Sequence, residues 1–532
     1  MRITNTMITN NTKANINSNK LLVDKYNTQM TTQKKIAKAS ENPVIAIRSL
    51  RLSTTLSHIN QYVGNNIPDA SAWMDVTETA LTNMKDLLTD IRTQCVNGST
   101  DTKNVEDRQT ILESLKSLAA QVYTEGNADY AGKTVFTGYR TSSNLTFDKE
   151  ELDTTYQIKQ SFDFSNLEEK RYYTGNVEVP EALTPDTIEC PTQIQENTYE
   201  RIRLAYNGKT EVMNFSFTID GIETNVITTD ETQNPAITTN QWAWDENTNN
   251  GLSEDTPLMS VYENEQEWED ANAVPPANGT RTVKDYEIVY IKETGEFIFG
   301  KEIANKVADG KASFDVEYTK EGFAEGELRP EYYYDCKDIT DDDPTKHVTY
   351  TKENQEINYA IANNTTITIN TQADEVFDSN IKRDVDEMIN VVQRALAATE
   401  KVNKIKNMMG EAQYQDNASQ QMLQTYLDAA QKEADYADDN LQKTYDQYIG
   451  RFDKYLESTN IAITNVGSVK NSLQLTQTRV ENQQMTIEEL KSENEDRDIS
   501  DIIIDYYASY NAYQSSLTAA GKLGQSSLLD YI

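Results

Sequence analysis

The stretch that decides the fold is residues 423–490, which read LQTYLDAAQKEADYADDNLQKTYDQYIGRFDKYLESTNIAITNVGSVKNSLQLTQTRVENQQMTIEEL. Apolar residues recur along it at alternating steps of four and three, beginning with Leu423 and Leu427 and ending with Ile487 and Leu490. A heptad repeat of this length, with no proline inside it, predicts one long coiled-coil helix. At about 1.5 Å per residue the helix would be roughly 100 Å long, far longer than a small domain is wide. The stretch therefore indicates a structural protein rather than an enzyme.

The charge balance narrows the class of protein further. The chain of 532 residues has 49 Lys and Arg against 86 Asp and Glu, a formal net charge of −37. Binding to nucleic acid needs a concentrated basic face, and so does electrostatic anchoring to a membrane, so we expect neither. No apolar run approaches the roughly 18 residues of a membrane span, so we expect no membrane insertion. The first five residues, MRITN, lack the apolar core of a signal peptide, which predicts a protein that is cytoplasmic or exported without a cleaved leader.

Charge and proline divide the chain into three regions. Residues 1–140 hold 16 basic and 13 acidic residues, residues 141–380 hold 18 and 49, and residues 381–532 hold 15 and 24. Nine of the eleven prolines lie in the middle region, where helices would be interrupted. The composition therefore predicts two helical arms that flank one acidic insert.

The middle region shows the alternation of apolar and polar residues that is typical of β-strands. Strands are predicted at 213–219, 286–291, 296–299, 314–318 and 364–369. Hairpin turns are predicted at Asp220-Gly221 and at Lys292–Gly295. The Asn-, Thr- and Pro-rich sequence between 231 and 280 indicates a linker or a long surface loop, so the insert could hold one or two subdomains. The predicted fold class is α+β and elongated, with helical coiled-coil arms around a β-rich centre.

The N-terminal arm contains several helical patterns. Apolar residues at helical spacing predict helices near 52–63, 70–91 and 111–122. The first of these follows Ser40-Glu41-Asn42-Pro43, which is a helix-start signal. Asn104 or Asp101 is a plausible cap for the third.

The two ends of the chain carry apolar residues that predict an assembly interface. The first 35 residues are mostly polar, and a helix without an apolar face to bury is marginal. We expect this segment to be disordered in the monomer and helical when it packs on a partner, for which the C-terminal end is the candidate. The predicted interface consists of Ile3, Met7, Ala14, Leu21, Ile499, Ile503, Tyr506, Tyr510, Tyr513, Leu517, Ala520, Leu528, Leu529 and Ile532. Such a surface is an aggregation liability when exposed and an interface when buried between subunits.

These patterns predict six segments. They are a terminal helix at 1–40, an N-terminal helical arm at 41–140, central β-rich subdomains at 141–275 and 276–380, a C-terminal coiled-coil arm at 381–490 and an assembly helix at 491–532.

Short motifs at both ends carry a family resemblance. They lie at Met1–Met7, at Ile36–Arg51, at Tyr130–Gly138 (YAGKTVFTG), at Thr476–Asn482 and at Ser527–Ile532. Together they resemble the flagellin superfamily of bacteria, and within it the hook-associated protein 3 family of the hook–filament junction. The chain departs from that family at Gln33, Ala131 and Thr137, each of which stands where the family has glycine.

The resemblance implies a structural subunit that is exported without a cleaved signal peptide and assembled in the extracellular flagellum. It implies self-association in a ring between an adjacent hook-associated protein and flagellin, with the terminal arms paired inside and the middle region outside. It also implies an export chaperone on the C-terminal helices. Two alternatives stay open: flagellin itself, and an axial protein whose central region is an adhesin.

The sequence contains little that could support catalysis or metal binding. The two histidines, His58 and His347, are far apart, and no HExxH helix is present. No nucleophile elbow and no phosphate-binding glycine loop occurs either. Asp338–Asp343 could hold a calcium ion but lacks the spacing of a known calcium loop, so a solvated acidic turn is the preferred interpretation. We therefore predict no catalytic residue, no metal site and no cofactor.

Overall fold

The fold is α+β, as the sequence predicts. The computed structural model describes residues 5–99, 105–174, 177–183, 195–219, 222–230, 237–240, 259–265, 267, 268, 283, 285, 287–310 and 312–525. The predictions for Ile3, Leu528, Leu529 and Ile532, and for a cap at Asp101 or Asn104, lie outside these residues.

Long helices lie at both ends of the chain. The helices are α1 (Asn5–Thr32), α2 (Pro43–Gln61), α3 (Ile67–Gly98), α4 (Val105–Ala119), α5 (Lys301–Ala308), α6 (Asn380–Gly410), α7 (Asn417–Glu495) and α8 (Ile499–Gln525). The long coiled-coil pattern is confirmed as one helix, α7, which extends a few residues beyond both ends of the pattern. Helix α2 begins where the start signal predicts, because the Asn42 side chain accepts hydrogen bonds from the Val44 and Ile45 amides.

The central region supplies most of the strands. They are β1 (Asp129–Tyr130), β2 (Lys133–Thr134), β3 (Glu151–Phe162), β4 (Glu168–Thr174), β5 (Gln195–Arg203), β6 (Lys209–Ile219), β7 (Ile222–Asp230), β8 (Ile237–Asn240), β9 (Met259–Tyr262), β10 (Ile288–Ile291), β11 (Glu296–Phe299), β12 (Ala312–Phe323), β13 (Asp335–Asp338), β14 (Val348–Tyr350), β15 (Asn358–Ala362) and β16 (Thr365–Thr368). The antiparallel pairs β6–β7 and β10–β11 confirm that the predicted strands form hairpins, and the predicted turn residues Asp220 and Gly221 lie outside the described residues.

The described residues form two compact units. The terminal unit takes its residues from 1–72, 358–368 and 469–532, and the central unit takes its residues from 73–357 and 369–468. Helices α3 and α7 contribute residues to both units.

Two sheets form the body of the central unit. One has the strand order β14-β13-β3-β12-β6-β7-β8 and the other the order β4-β5-β11-β10-β9. Aromatic rings join them: Phe215 stacks on Phe297 at 5.1 Å between ring centres, and Phe299 stacks on Phe314 at 4.9 Å. The predicted boundary at 275 does not coincide with either sheet, because each contains strands from both sides of it and one apolar core connects them. Strand alternation identifies single strands but does not show which of them share a sheet.

The terminal unit is built around α2 and the C-terminal part of α7. Ile59 of α2 and Val480 of α7 share an apolar cluster with Ala362 of the β15–β16 hairpin. A single π-helical turn, Tyr62–Asn66, joins α2 to α3, and its Asn66 side chain donates to the Ala360 carbonyl at 2.7 Å. The hairpin therefore belongs to the terminal unit, although it falls in the second of the predicted central subdomains.

Candidate functional site: the terminal helix pair

Helices α1 and α8 pack against each other as an antiparallel pair. Gln29 near the end of α1 contacts Arg497 just before α8, and Asn19 donates to the Ala512 carbonyl further along. The half-buried residues of α1 recur at steps of three and four, at Ile16, Asn19, Val23, Tyr26 and Met30. These residues form the face of α1 that contacts α8. The predicted pairing of the two chain ends is therefore present in the structure.

A polar junction ties the connection after α1 to the connection before α8. The Lys35 amide donates to the Glu495 carbonyl at 2.6 Å, and the Arg497 amide donates to the Gln33 carbonyl at 2.9 Å. The Gln29 side chain is buried; it donates to the Lys35 carbonyl at 2.6 Å and accepts from the Arg497 guanidinium at 3.0 Å. These backbone and side-chain bonds fix the register of the two helices at this end of the pair.

Ion pairs surround the junction on its solvent side. The Lys34 ammonium lies 2.5 Å from an Asp496 oxygen and 3.1 Å from a Glu495 oxygen. The hydrogen bond with Asp496 raises the pKa of Lys34, and the same bond lowers the pKa of the Asp496 carboxyl. Both groups are therefore charged at neutral pH, although their exposure to solvent makes the stabilisation small.

The predicted interface residues separate into two faces of the pair. Tyr506, Tyr513 and Ala520 are half-buried in the described residues, whereas seven others are exposed. The exposed ones are Met7, Ala14 and Leu21 on α1, and Ile499, Ile503, Tyr510 and Leu517 on α8. The predicted residues Met7, Ala14 and Leu21 thus do not lie on the face of α1 that contacts α8. The sequence pattern shows that apolar residues share a side of the helix but does not show which side meets which partner.

Further apolar side chains are exposed on α1, α8 and the neighbouring helix in sequence, α2. On α8 they are Ile504 and Tyr507, with 65% and 61% of their surface exposed, and on α1 they are Ile8 and Leu22. Helix α2 exposes Val44, Ile47 and Leu50 at steps of three. The predicted interface does not include these residues. The signal that identifies them is a second row of apolar residues along each helix, next to the row of predicted interface residues. We call the set of exposed apolar residues on α1, α2 and α8 the outer apolar face.

The acidic turn has no metal-site geometry. Asp338, Asp341 and Asp343 each accept a backbone amide two residues further on, and the Lys346 ammonium lies 2.7 Å from the Asp341 carboxylate. Within the part of the chain that the structure describes, no cluster of His, Cys, Asp or Glu side chains could hold a metal ion. No helix in that part is long and apolar enough to cross a bilayer.

Comparison with known proteins shows which family the N-terminal arm resembles. Residues 3–141 match the family model of the bacterial flagellin N-terminal helical region. The chain therefore carries a flagellin-type N-terminal region, and the predicted resemblance to the flagellin superfamily is confirmed there. No curated protein sequence matches the chain.

Solved structures of flagellar proteins are among those similar to the chain. A protein assigned as a flagellar hook-associated protein of Vibrio parahaemolyticus is 11% identical, with a TM-score of 0.35, over 86% of this chain and 100% of that one. Flagellar hook-associated protein-3 of Legionella pneumophila is 10% identical, with a TM-score of 0.28, over 83% and 97%. FlgL of Xanthomonas campestris is 10% identical, with a TM-score of 0.26, over 82% and 99%.

Proposed function

We propose that this chain is a structural subunit of the bacterial flagellum that forms the junction between hook and filament and polymerises through its paired terminal helices. The observation that carries the proposal is the α1–α8 pair, which lies in a chain with a flagellin-type N-terminal region and exposes an apolar face. The motifs at both ends, which resemble the hook-associated protein 3 family, favour the junction over other places in the flagellum.

The outer apolar face supports polymerisation for a physical reason. Burying one Leu, Ile or Met side chain contributes roughly 1.5–3 kcal/mol, so a face with several of them supplies substantial binding free energy. On a free subunit the same face would promote aggregation. A neighbouring subunit is therefore the occupant we propose, and the ring implied by the resemblance would repeat this contact.

The remaining partners follow from the same role. A junction subunit would contact an adjacent hook-associated protein on one side and flagellin on the other. We propose that an export chaperone covers α8 before assembly, and that the chain reaches the extracellular flagellum without a cleaved signal peptide. We also propose that it has no enzymatic activity and needs no cofactor.

Flagellin is the second candidate, and one observation favours it. The family model that matches residues 3–141 describes the N-terminal helical region of flagellin itself. A filament subunit would use the same paired helices, so the two candidates differ in what is lost when the protein is absent.

Deletion of the gene in its host, with electron microscopy of the flagella, separates the two candidates. We expect cells with hooks but no filaments, and unassembled flagellin in the culture medium. A plasmid that encodes the full chain should restore filaments. Cells that lose only one type of filament subunit, or that keep normal filaments, would contradict the junction role.

A further inference from the structure

Two arginines lie buried on one face of the five-stranded sheet. Arg201 and Arg203 of β5 flank Ile202, and only 1% and 5% of their respective surfaces are exposed. Because side chains alternate across a strand, both guanidinium groups lie on the face opposite Ile202. Ile202 belongs to the apolar core between the two sheets. One face of this sheet is therefore apolar and the other carries buried charge.

Carboxylates from the sheet itself satisfy only part of this charge. The Arg201 Nη1 atom lies 2.8 Å from Glu296 Oε1 on β11, and its Nη2 atom lies 3.3 Å from Glu168 Oε2 on β4. The Arg203 Nε atom lies 2.8 Å from the same Glu168 oxygen. Lys170 of β4 adds a further cation 3.1 Å from Glu296. Two buried arginines and a half-buried lysine thus share two carboxylates within the sheet.

Helix α6 supplies the missing negative charge. Glu387 Oε2 lies 2.5 Å from Arg201 Nη2 and 3.4 Å from Arg203 Nη1. Asp384 Oδ1 lies 2.5 Å from Arg203 Nη2, and the Asp384 side chain is inaccessible to solvent. Arg383 of the same helix donates to the backbone carbonyl groups of Leu204 and Thr294, which lie next to β5 and β11.

Helix α7 completes the network. The Arg451 guanidinium lies 2.9 Å from both Asp384 and Glu168, and the Tyr455 hydroxyl donates to Asp384 at 2.8 Å. We call this set the charge lock; its members are Glu168, Lys170, Arg201, Arg203, Glu296, Arg383, Asp384, Glu387, Arg451 and Tyr455. It connects three strands of one sheet to two helices that follow them in the sequence.

The energetics of the charge lock are asymmetric. A buried ion pair adds little net stability, because desolvation offsets most of the attraction between its charges. A buried charge that loses its partner is strongly destabilising, because its desolvation is no longer compensated. While α6 and α7 are absent, this face is open to water, and Arg201 and Arg203 are hydrated. Once the helices cover the face both arginines are desolvated, and without Glu387 and Asp384 they would be buried with too few partners. The face therefore closes favourably only when the helices dock with these carboxylates in place.

We propose that the charge lock makes closure of this face of the five-stranded sheet conditional on α6 and α7, because these helices bring the carboxylates that Arg201 and Arg203 need once they are covered. A chain that still lacked Arg451 would leave this face of the sheet open to solvent. The inference concerns the folding of the chain itself and holds whether the mature protein is a junction subunit or flagellin.

Hydrogen exchange of the full-length chain tests the proposal. In the natural sequence, amides of Ile202 and Phe297 should exchange through the same opening as the buried amides of α6. In Glu387→Gln, we expect protection of the sheet amides to fall at least tenfold, while amides of α7 between 423 and 441 change less than threefold. Equal losses in the sheet and in residues 423–441 of α7, or no loss in the sheet, would overturn the proposal.

A matched control and a milder variant complete the test. Arg92 and Asp453 form an ion pair at 2.6 Å that is partly exposed in the same unit, so Asp453→Asn should change sheet protection less than twofold. If the Glu387→Gln chain does not fold, Arg201→Lys retains the charge but loses the forked donor geometry. Arg201→Lys should also lower hydrogen-exchange protection more in the sheet than in α7, but by a smaller factor than Glu387→Gln. An equal loss of protection in the sheet and in α7 would refute the charge lock.

Discussion

The backbone amide of Arg497 donates to the carbonyl oxygen of Gln33 at 2.9 Å, which joins the two ends of the chain at a residue with a left-handed backbone. Gln33 has a φ of 56°, and Ala131 has a φ of 53°. Both residues stand where the resembling family has glycine, which adopts this conformation without steric strain. The chain therefore holds residues with a Cβ atom at two positions of left-handed backbone.

Replacing Gln33 by glycine should stabilise the terminal helix pair. The left-handed conformation costs a residue with a Cβ atom about 1–2 kcal/mol, and glycine recovers this at an entropic cost of roughly 0.5–1 kcal/mol. We expect Gln33→Gly to raise the free energy of unfolding of the terminal unit by about 0.5 kcal/mol. Hydrogen exchange of α1 and α8 amides in the full chain measures the change.

Gly132 provides the reverse control. Its φ is 77°, and a Cβ atom added there would meet nothing within 4 Å, so only the backbone conformation opposes a larger residue. Gly132→Ala should lower the stability of the central unit by about 1 kcal/mol. If Gln33→Gly and Gly132→Ala both destabilise, backbone strain at Gln33 is not the relevant cost.

The neutral side chain of Gln29 should stabilise the polar junction between α1 and α8 more than the exposed ion pairs of Lys34 do. Gln29 is buried and makes two hydrogen bonds, so Gln29→Ala removes the side-chain donor to the Lys35 carbonyl and one of the acceptors of the Arg497 guanidinium, which keeps Asp505. We expect a loss of about 1–3 kcal/mol in the stability of the α1–α8 pair. Lys34→Ala removes exposed ion pairs and should cost less than about 1 kcal/mol. Exchange rates of α8 amides in the two variants compare these losses, and a larger loss in Lys34→Ala would contradict the assignment.

Adjacent isoleucines of α8 should separate folding from assembly. Ile502 is fully buried, and Ile502→Ala should destabilise the terminal unit by about 2–5 kcal/mol. Ile503 belongs to the outer apolar face, and Ile503→Ala should leave the unfolding temperature of the purified chain within about 2 °C of its original value. In a deletion strain, we expect the Ile503 variant to be exported but to support fewer filaments. Full restoration of filaments by this variant would remove Ile503 from the assembly surface.

The sequence predicts those helices and strands whose buried residues are apolar and recur with the period of the element. Helix α7 and the hairpins β6–β7 and β10–β11 were predicted because their apolar residues follow the period of the element. Strand β5 was missed, since its sequence QENTYERIR has charged residues where a buried strand usually has apolar ones. Arg201 is buried because carboxylates on other elements neutralise it, and such long-range pairing leaves no local pattern.

The part of α8 that α1 covers could not be predicted, for a related reason. The periodicity of α8 places Ile503, Tyr506 and Leu517 on one broad stripe, yet α1 covers only part of that stripe. Which part is covered depends on the register of the two helices, and the junction at Gln33 and Arg497 sets that register. The sequence pattern identifies the apolar residues. It does not show the hydrogen bonds that determine how the two helices are oriented against each other.

A buried carboxyl in the central unit should make stability depend on pH. Only 7% of the Glu331 side chain is exposed, and its Oε2 atom has no hydrogen-bond partner among the described residues. Burial raises the pKa of this carboxyl, although the Arg329 guanidinium, 3.7 Å away, opposes the shift. A raised pKa in the folded state means that Glu331 favours folding while it is protonated. That contribution is complete below the ordinary pKa of glutamate and is lost as the pH rises through the folded-state pKa.

Glu331→Gln, which stays neutral at every pH, should therefore be more stable than the natural chain at pH 8 and equal to it near pH 4. Denaturant midpoints of the central unit at the two pH values measure the difference. Glu321 is the matched control, because its carboxylate is 54% exposed and pairs with Lys209 at 3.3 Å. Glu321→Gln should change stability by less than about 1 kcal/mol at either pH. A Glu331→Gln chain that is less stable than the natural chain at pH 8 would show that the buried carboxylate is stabilised by its surroundings, with Arg329 outweighing the cost of burial.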